Sequence, residues 1–217
     1  MPTKQEREEL RRQKTSELYS YMREIGGDGV IVGIDEVGRG PLAGPLTVAA
    51  VVLPDEPQIV GLDDSKKISE KRRIGLASKI RETAVAYGIA HIEPEEIDAC
   101  GMAASLRVAM LRALRETGVE PDAVLIDGNP MHIHPKETCI VKGDGKVAAI
   151  AAASILAKVT RDELMKEYAS VYPAYHFESN KGYGSAAHIE AIKQLGPCPL
   201  HRTSFLGNIL SEQQSLL

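Results

Sequence analysis

The 217-residue chain has no tryptophan and only 2 phenylalanines. Its core must therefore be aliphatic, with Ala, Val, Ile and Leu supplying most of the buried area. Cysteine is also scarce: Cys100, Cys139 and Cys198 are odd in number, widely spaced and without a C-x-x-C pair. That argues against a disulfide framework or a zinc ribbon, and a reducing, cytoplasmic setting is expected. No apolar run is long enough to cross a bilayer as a helix. The first residues, MPTKQEREELRRQK, lack an apolar h-region and are not expected to be a signal peptide. A surplus of positive charge is missing too, since 26 Lys and Arg face 30 Asp and Glu for a net charge of -4. The total counts mildly against a nucleic-acid binder. Acids gathered around metal ions can nevertheless make a chain negative while a basic rim surrounds them.

What is present is organised around residues 31–44, IVGIDEVGRGPLAG. An apolar strand ends on two carboxylates, Asp35 and Glu36, and a glycine-flanked arginine follows in Gly38-Arg39-Gly40. Two further acids stand beside glycines after apolar runs: Asp127 before Gly128, and Asp144 between Gly143 and Gly145. Strand ends of an α/β sheet converge on one edge, where ligands bind. Carboxylates crowded there repel one another and lose solvation. A divalent cation relieves both costs, and oxygen-only ligands select Mg²⁺ or Mn²⁺. Two such ions could activate a water and stabilise the leaving oxygen of a phosphodiester. Taken singly, each acid reads as a turn former or cap. Adjacent strand residues point to opposite faces, so the strand is expected to bend or bulge at Asp35 and Glu36. Asp162 and Glu163 lie inside a helical pattern and read as a solvated face.

Strands are expected at 30–35, 46–53, 85–92, 122–127 and 137–141. Helices are expected at 4–24, 70–87, 102–117, 147–168 and 186–195, with a helical turn at 94–98 and a short helix after Phe205. Run 46–53, LTVAAVVL, reads as a strand covered on both faces. Helix 4–24 has one weak apolar face and reads as an appendage. Alternation of strands and helices predicts one α/β domain with helices on both faces of the sheet. Residues 1–29 form an extension, 30–170 the main domain and 171–217 a helical C-terminal part.

Three motifs are set aside. Gly38-x-Gly40-x-x-Ala43 fits a dinucleotide fingerprint only formally, because prolines and a strand follow it rather than a helix. Gly143-Asp144-Gly145-Lys146 lacks Walker spacing. His132-x-His134 is flanked by prolines and reads as an exposed loop. Of Lys66, Lys67, Lys142, Lys146, Lys158, Arg161, Lys181, His188, His201 and Arg202, most flank the acidic loops or the aromatic segment, which suits a polyanion, though some singly read as solvated surface. Lys158 and Arg161 also read as structural. Tyr183, between glycines, could stack on a sugar or base.

These stretches resemble bacterial ribonuclease HII, of the type 2 RNase H family. The similarity is carried by IVGIDEVGRGPLAGPLTVAAVVL, LDDSKKISEKRR, LIDG, KGDGKVAAIAAASILAKVTRD and NKGYGSAAHIEAIKQLGPCPLHRTSF. It implies an α/β, RNase H-like fold: a mixed central sheet flanked by helices, with a small helical C-terminal part. It implies cleavage of RNA in RNA–DNA hybrids by a monomer, and incision 5′ of single ribonucleotides in duplex DNA, leaving a 3′-hydroxyl and a 5′-phosphate. The family's metal-binding acids fall on Asp35, Glu36, Asp127 and Asp144, with two Mn²⁺ or Mg²⁺ ions when substrate is bound. Gly38, Arg39 and Gly40 would read the ribose 2′-hydroxyl, Tyr183 would stack on the next sugar, and Ser65, Lys66 and Lys181 would contact phosphates. Two positions depart from the pattern: Ser185 stands where threonine is expected, and GKVAAI after Asp144 lacks the usual serines. A DNA nuclease or phosphotransferase using the same ions, and a binding module without chemistry, are the alternatives.

Overall fold

The computed structural model describes residues 3–207, 209 and 210. The helix expected after Phe205 falls largely outside them. A five-stranded mixed sheet runs through the centre in the order β3-β2-β1-β4-β5. Its strands are β1 (Ile31–Val37), β2 (Leu46–Val52), β3 (Ala86–Ile92), β4 (Ala123–Asp127) and β5 (Glu137–Ile140). The β1–β2–β3 meander is antiparallel, whereas β4 joins β1 and β5 joins β4 in parallel. Every residue of β2 is buried, as its unbroken apolar run requires.

Helices cover both faces. α1 (Lys4–Gly26), α2 (Glu70–Thr83) and α5 (Ala148–Val171) pack on one face, and α3 (Pro94–Cys100) and α4 (Met102–Glu116) on the other. The first half of α5 is alanine-rich because it lies almost against the sheet. A Cβ added to Gly33 of β1 would meet the Ala149 main chain at 2.3 Å. Larger side chains on that stretch of α5 would force strand and helix apart. Two shorter helices, α6 (Phe177–Asn180) and α7 (Ala186–Leu195), form the C-terminal layer with a small core of their own around Phe177, Ile192 and Leu206.

Three expectations change. α1 is not a loose appendage: Thr15, Leu18, Tyr19 and Met22 are buried, at the i, i+3, i+4, i+7 spacing of one helical face. Tyr19 Oη accepts the Ile59 amide at 3.2 Å and Thr15 Oγ1 the Gly61 amide at 3.0 Å, so α1 braces the loop that leads to Ser65. α2 stops at Thr83 rather than 87, because the Val85 amide donates to Val52 O and the chain from Ala86 joins the sheet. β1 does not bulge at its acids. Its pairing with β2 continues without interruption through Asp35↔Ala49, Glu36↔Val48 and Val37↔Thr47.

Candidate active site

The β1–β4 pairing ends at Ile34↔Ile126. Beyond it β1 runs on alone on that side, and this resolves the geometry of two adjacent acids. With no neighbour strand in the way, side chains from either face can turn over the edge into one space. A cavity of about 350 Å³ lies there, lined by Asp35, Glu36, Ser65, Lys66, Asp127, Asp144 and Tyr183. The sheet edge thus gathers seven of the eleven residues singled out in the sequence.

Each acid is held by its own local structure. Asp35 Oδ1 accepts the Glu36 amide at 2.7 Å, an N–H beyond the last β1–β4 pair. Asp127 closes β4, and its Oδ1 accepts the Gly143 amide at 2.6 Å. Asp144 sits in a 3₁₀ turn, Gly143–Gly145, between β5 and α5 rather than at a strand end. Lys142 enters this turn in the left-handed region, φ 58°. Glu36 is tied to the exposed Arg39 guanidinium at 3.3 Å.

Burial pushes the Asp35 carboxyl well above its ordinary range, and the charges of Glu36 and Asp127 push it further. Burial also raises Glu36, against the pull of Arg39. Asp144 is raised by burial and then by the charges of Asp64 and Asp127. These are acids under mutual repulsion, and a cation among them would relieve it. The donor set suits a hard ion: no histidine or cysteine lines the cavity. As they stand, no three His, Cys, Asp or Glu side chains among the described residues are gathered closely enough to hold an ion. Asp35 and Asp127 are each turned toward a main-chain amide, those of Glu36 and Gly143.

Lys158, named in the sequence with the basic rim, also lines the cavity, as do Ser154 and Arg73, which were not singled out there. Ser154 carried a signal: it is the one polar residue in the unbroken buried run of α5 from Ala148 to Ala157. Its hydroxyl meets Ser65 Oγ at 3.0 Å, and it also bonds Asp35, which lowers that carboxyl's pKa against the larger effect of burial. Arg73 fixes the Ser65–Lys67 turn by donating to the carbonyls of Ser65 and Ile68. Asp162, expected on a solvated face, is buried and pairs with Lys158 at 2.7 Å. Glu163 is half exposed. His132 and His134 lie in a loop whose amides at Met131, His132 and Ile133 donate to the Glu137 carboxylate.

Gly38, Arg39, Gly40 and Lys181 do not line the cavity. Gly38 has φ +94°, and a Cβ there would stand 2.5 Å from Arg161 Nε. The buried Arg202 holds this turn through Gly38 O at 2.6 Å and Arg39 O at 3.0 Å. Lys181 Nζ is bonded to Glu178 O. The Tyr183 carbonyl accepts His188 Nδ1–H at 2.8 Å; His188 Nε2 accepts His201 Nε2–H at 3.0 Å; His201 Nδ1 accepts the Cys198 amide at 2.9 Å. His201 Nδ1 also lies 3.2 Å from Cys198 O, and burial lowers the pKa of both imidazoles, which favours this neutral arrangement. Ser185, the departure from threonine, still caps α7 by accepting the His188 amide.

The family model for ribonuclease HII matches residues 32–207. The chain belongs to the ribonuclease HII family. It is 45% identical over 204 residues to ribonuclease HII of Listeria monocytogenes serotype 4a, covering 93% of this chain and 78% of that protein. Among solved structures, ribonuclease H2 from Pyrococcus horikoshii superposes with a TM-score of 0.72 at 27% identity, over 85% of this chain and 98% of that one. Bst ribonuclease HIII in complex with Mn²⁺ shares the fold, with a TM-score of 0.69 at 20% identity over 94% of this chain and 72% of the other. Family membership makes the protein a metal-dependent endonuclease of the ribonuclease H class, acting on RNA–DNA hybrids. Among the described residues, no helix is long and apolar enough to cross a membrane.

Proposed function

We propose that this ribonuclease HII incises duplex DNA 5′ of a single embedded ribonucleotide as well as cutting RNA–DNA hybrids, leaving a 3′-hydroxyl and a 5′-phosphate. The reading is carried by four carboxylates, Asp35, Glu36, Asp127 and Asp144, around one cavity that also admits Lys66 and Tyr183. A module that only bound nucleic acid would gain nothing from buried negative charge facing phosphate.

The four acids would hold two Mg²⁺ or Mn²⁺ ions with substrate bound. When bound, such a pair supplies an activated water and charge stabilisation for the departing 3′ oxygen. The protein's own groups do the selecting. Main-chain atoms at Gly38, Arg39 and Gly40 approach the ribose closely enough to test its 2′-hydroxyl, the group that distinguishes RNA from DNA. The Tyr183 ring, 43% exposed, stacks on the sugar that follows. Ser65, Lys66 and Lys181 hold flanking phosphates as charge and hydrogen-bond partners.

The test is a pair of duplexes identical except for one ribonucleotide. Only the ribonucleotide-containing duplex should be cut. Equal cutting of both would make the protein a general DNA nuclease and end this reading.

A further inference from the structure

Arg161 is fully buried in α5, and its bonds go to carbonyls rather than to a carboxylate. Nε donates to Pro45 O at 2.9 Å and one terminal nitrogen to Ala43 O at 3.1 Å. The other donates to Lys181 O at 2.9 Å. One guanidinium therefore joins two loops distant in sequence, the one that follows Gly38-Arg39-Gly40 and the one that carries Tyr183. Its Cζ also lies 5.9 Å from the centroid of the Tyr183 ring. The loops touch directly as well. Gly182 O accepts the Leu42 amide at 2.8 Å, and a Cβ on Gly182 would meet Ala43 O at 2.2 Å. Arginine suits this role because its planar fork presents several donors in fixed directions, whereas lysine offers one point charge.

We infer that Arg161 is a positioning residue that sets the spacing between the ribose-inspecting turn and the Tyr183 ring, and so sets the preference for an isolated ribonucleotide over continuous RNA. This rests on the proposed roles of Gly38-Arg39-Gly40 and Tyr183. At a single embedded ribonucleotide the two elements must engage adjacent sugars at once, one with and one without a 2′-hydroxyl. In continuous RNA the second sugar keeps its hydroxyl, and the joint geometry is no longer rewarded. A lost spacing should therefore weaken the first reaction more than the second.

The experiment measures kcat and KM on a duplex with one ribonucleotide and on a continuous RNA–DNA hybrid, together with melting temperature. The proteins are wild type, Arg161→Lys, Gly182→Ala and Tyr183→Ala. Gly182→Ala keeps Arg161 but wedges the loops apart, so the idea does not depend on Arg161→Lys folding. Both variants should lower the ratio of kcat/KM for the single ribonucleotide to that for the hybrid by roughly tenfold or more, mainly through kcat. A parallel loss on both substrates would mark a merely structural role and overturn the inference. So would an unchanged ratio in the folded variants while Tyr183→Ala shifts it. If Tyr183→Ala itself leaves the ratio unchanged, the underlying stacking role fails, and the inference falls with it.

Discussion

Asp127 Oδ1 accepts the Gly143 amide at 2.6 Å, so the acid that ends β4 holds the turn that presents Asp144. Two candidate ligands are thus coupled through one hydrogen bond. Asn at 127 keeps an oxygen for that amide, whereas Ala does not. Asp127→Asn should fold like wild type and bind duplex, yet lose cleavage by roughly 10²–10³-fold, as when a preorganised charge is removed from a reaction centre. Asp127→Ala should lose stability as well, by about 1–3 kcal/mol, because the amide is left unpaired. Single-turnover cleavage and urea unfolding measure the two effects. Full activity in Asp127→Asn would remove Asp127 from the site.

Asp35 should trade stability for function. Its carboxyl is raised by burial and by neighbouring charge, so its folded pKa exceeds its unfolded one. Such a group favours the fold while protonated, and that contribution is lost as pH rises through the folded pKa. In neutral, cation-free buffer Asp35→Asn should therefore melt higher than wild type, by roughly 2–4 °C for each 1 kcal/mol in a chain of this size. Added Mg²⁺ should raise the wild-type melting temperature more than that of the variant. Thermal melts with and without chelator decide this. A lower melting temperature for Asp35→Asn in both conditions would contradict the reading of its charge.

Gly33 sets how close α5 comes to β1. A Cβ there would strike the Ala149 main chain, which cannot turn aside like a flexible side chain. Gly33→Ala should destabilise by about 1–3 kcal/mol. It should also lower cleavage, since Ser154 and Asp35 lie on the two elements being separated. Chemical denaturation checks the first effect and single-turnover cleavage the second.

The histidine relay beneath Tyr183 predicts an acid limb of opposite sign to that of Asp35. Burial, with the neighbouring His188, holds His201 down at about 4 against an ordinary 6.5. The unfolded chain takes the proton first, so stability should fall as pH drops from about 6.5 to about 4, by at most about 3 kcal/mol. His188 is lowered in the same direction. The raised carboxyls Asp35, Glu36 and Asp144 work the other way, so the informative quantity is the difference between wild type and His201→Asn. That difference in unfolding free energy should shrink with acidification across this window. A constant difference would mean that His201 does not titrate there.

Much of the lining of the candidate cavity is legible in the sequence, because the signals are local. Apolar runs that stop at acids mark Asp35, Glu36 and Asp127, flanking glycines mark Asp144, and the glycines around Tyr183 mark an exposed ring. What the sequence hides depends on distant partners. The burial of α1 rests on Tyr19 and Thr15, whose polar atoms are satisfied by amides of the 59–61 loop. The early end of α2 is imposed by pairing with β2, which overrides helical pattern. Arg161 reads from the sequence as basic rim or as structural, and what it joins is hidden until its carbonyl partners, 116 and 118 positions away at Pro45 and Ala43, are seen. The expected bulge at Asp35 and Glu36 is unnecessary because β4 stops pairing one residue before them.

The most direct test of the central claim is end-mapping of the cut on a duplex with one embedded ribonucleotide, in chelator, in Mg²⁺ and in Mn²⁺. The account predicts a single incision 5′ of the ribonucleotide, a 3′-hydroxyl on one fragment and a 5′-phosphate on the other, and no product in chelator. Incision on the 3′ side of the ribonucleotide, or undiminished cutting without divalent cation, would contradict it.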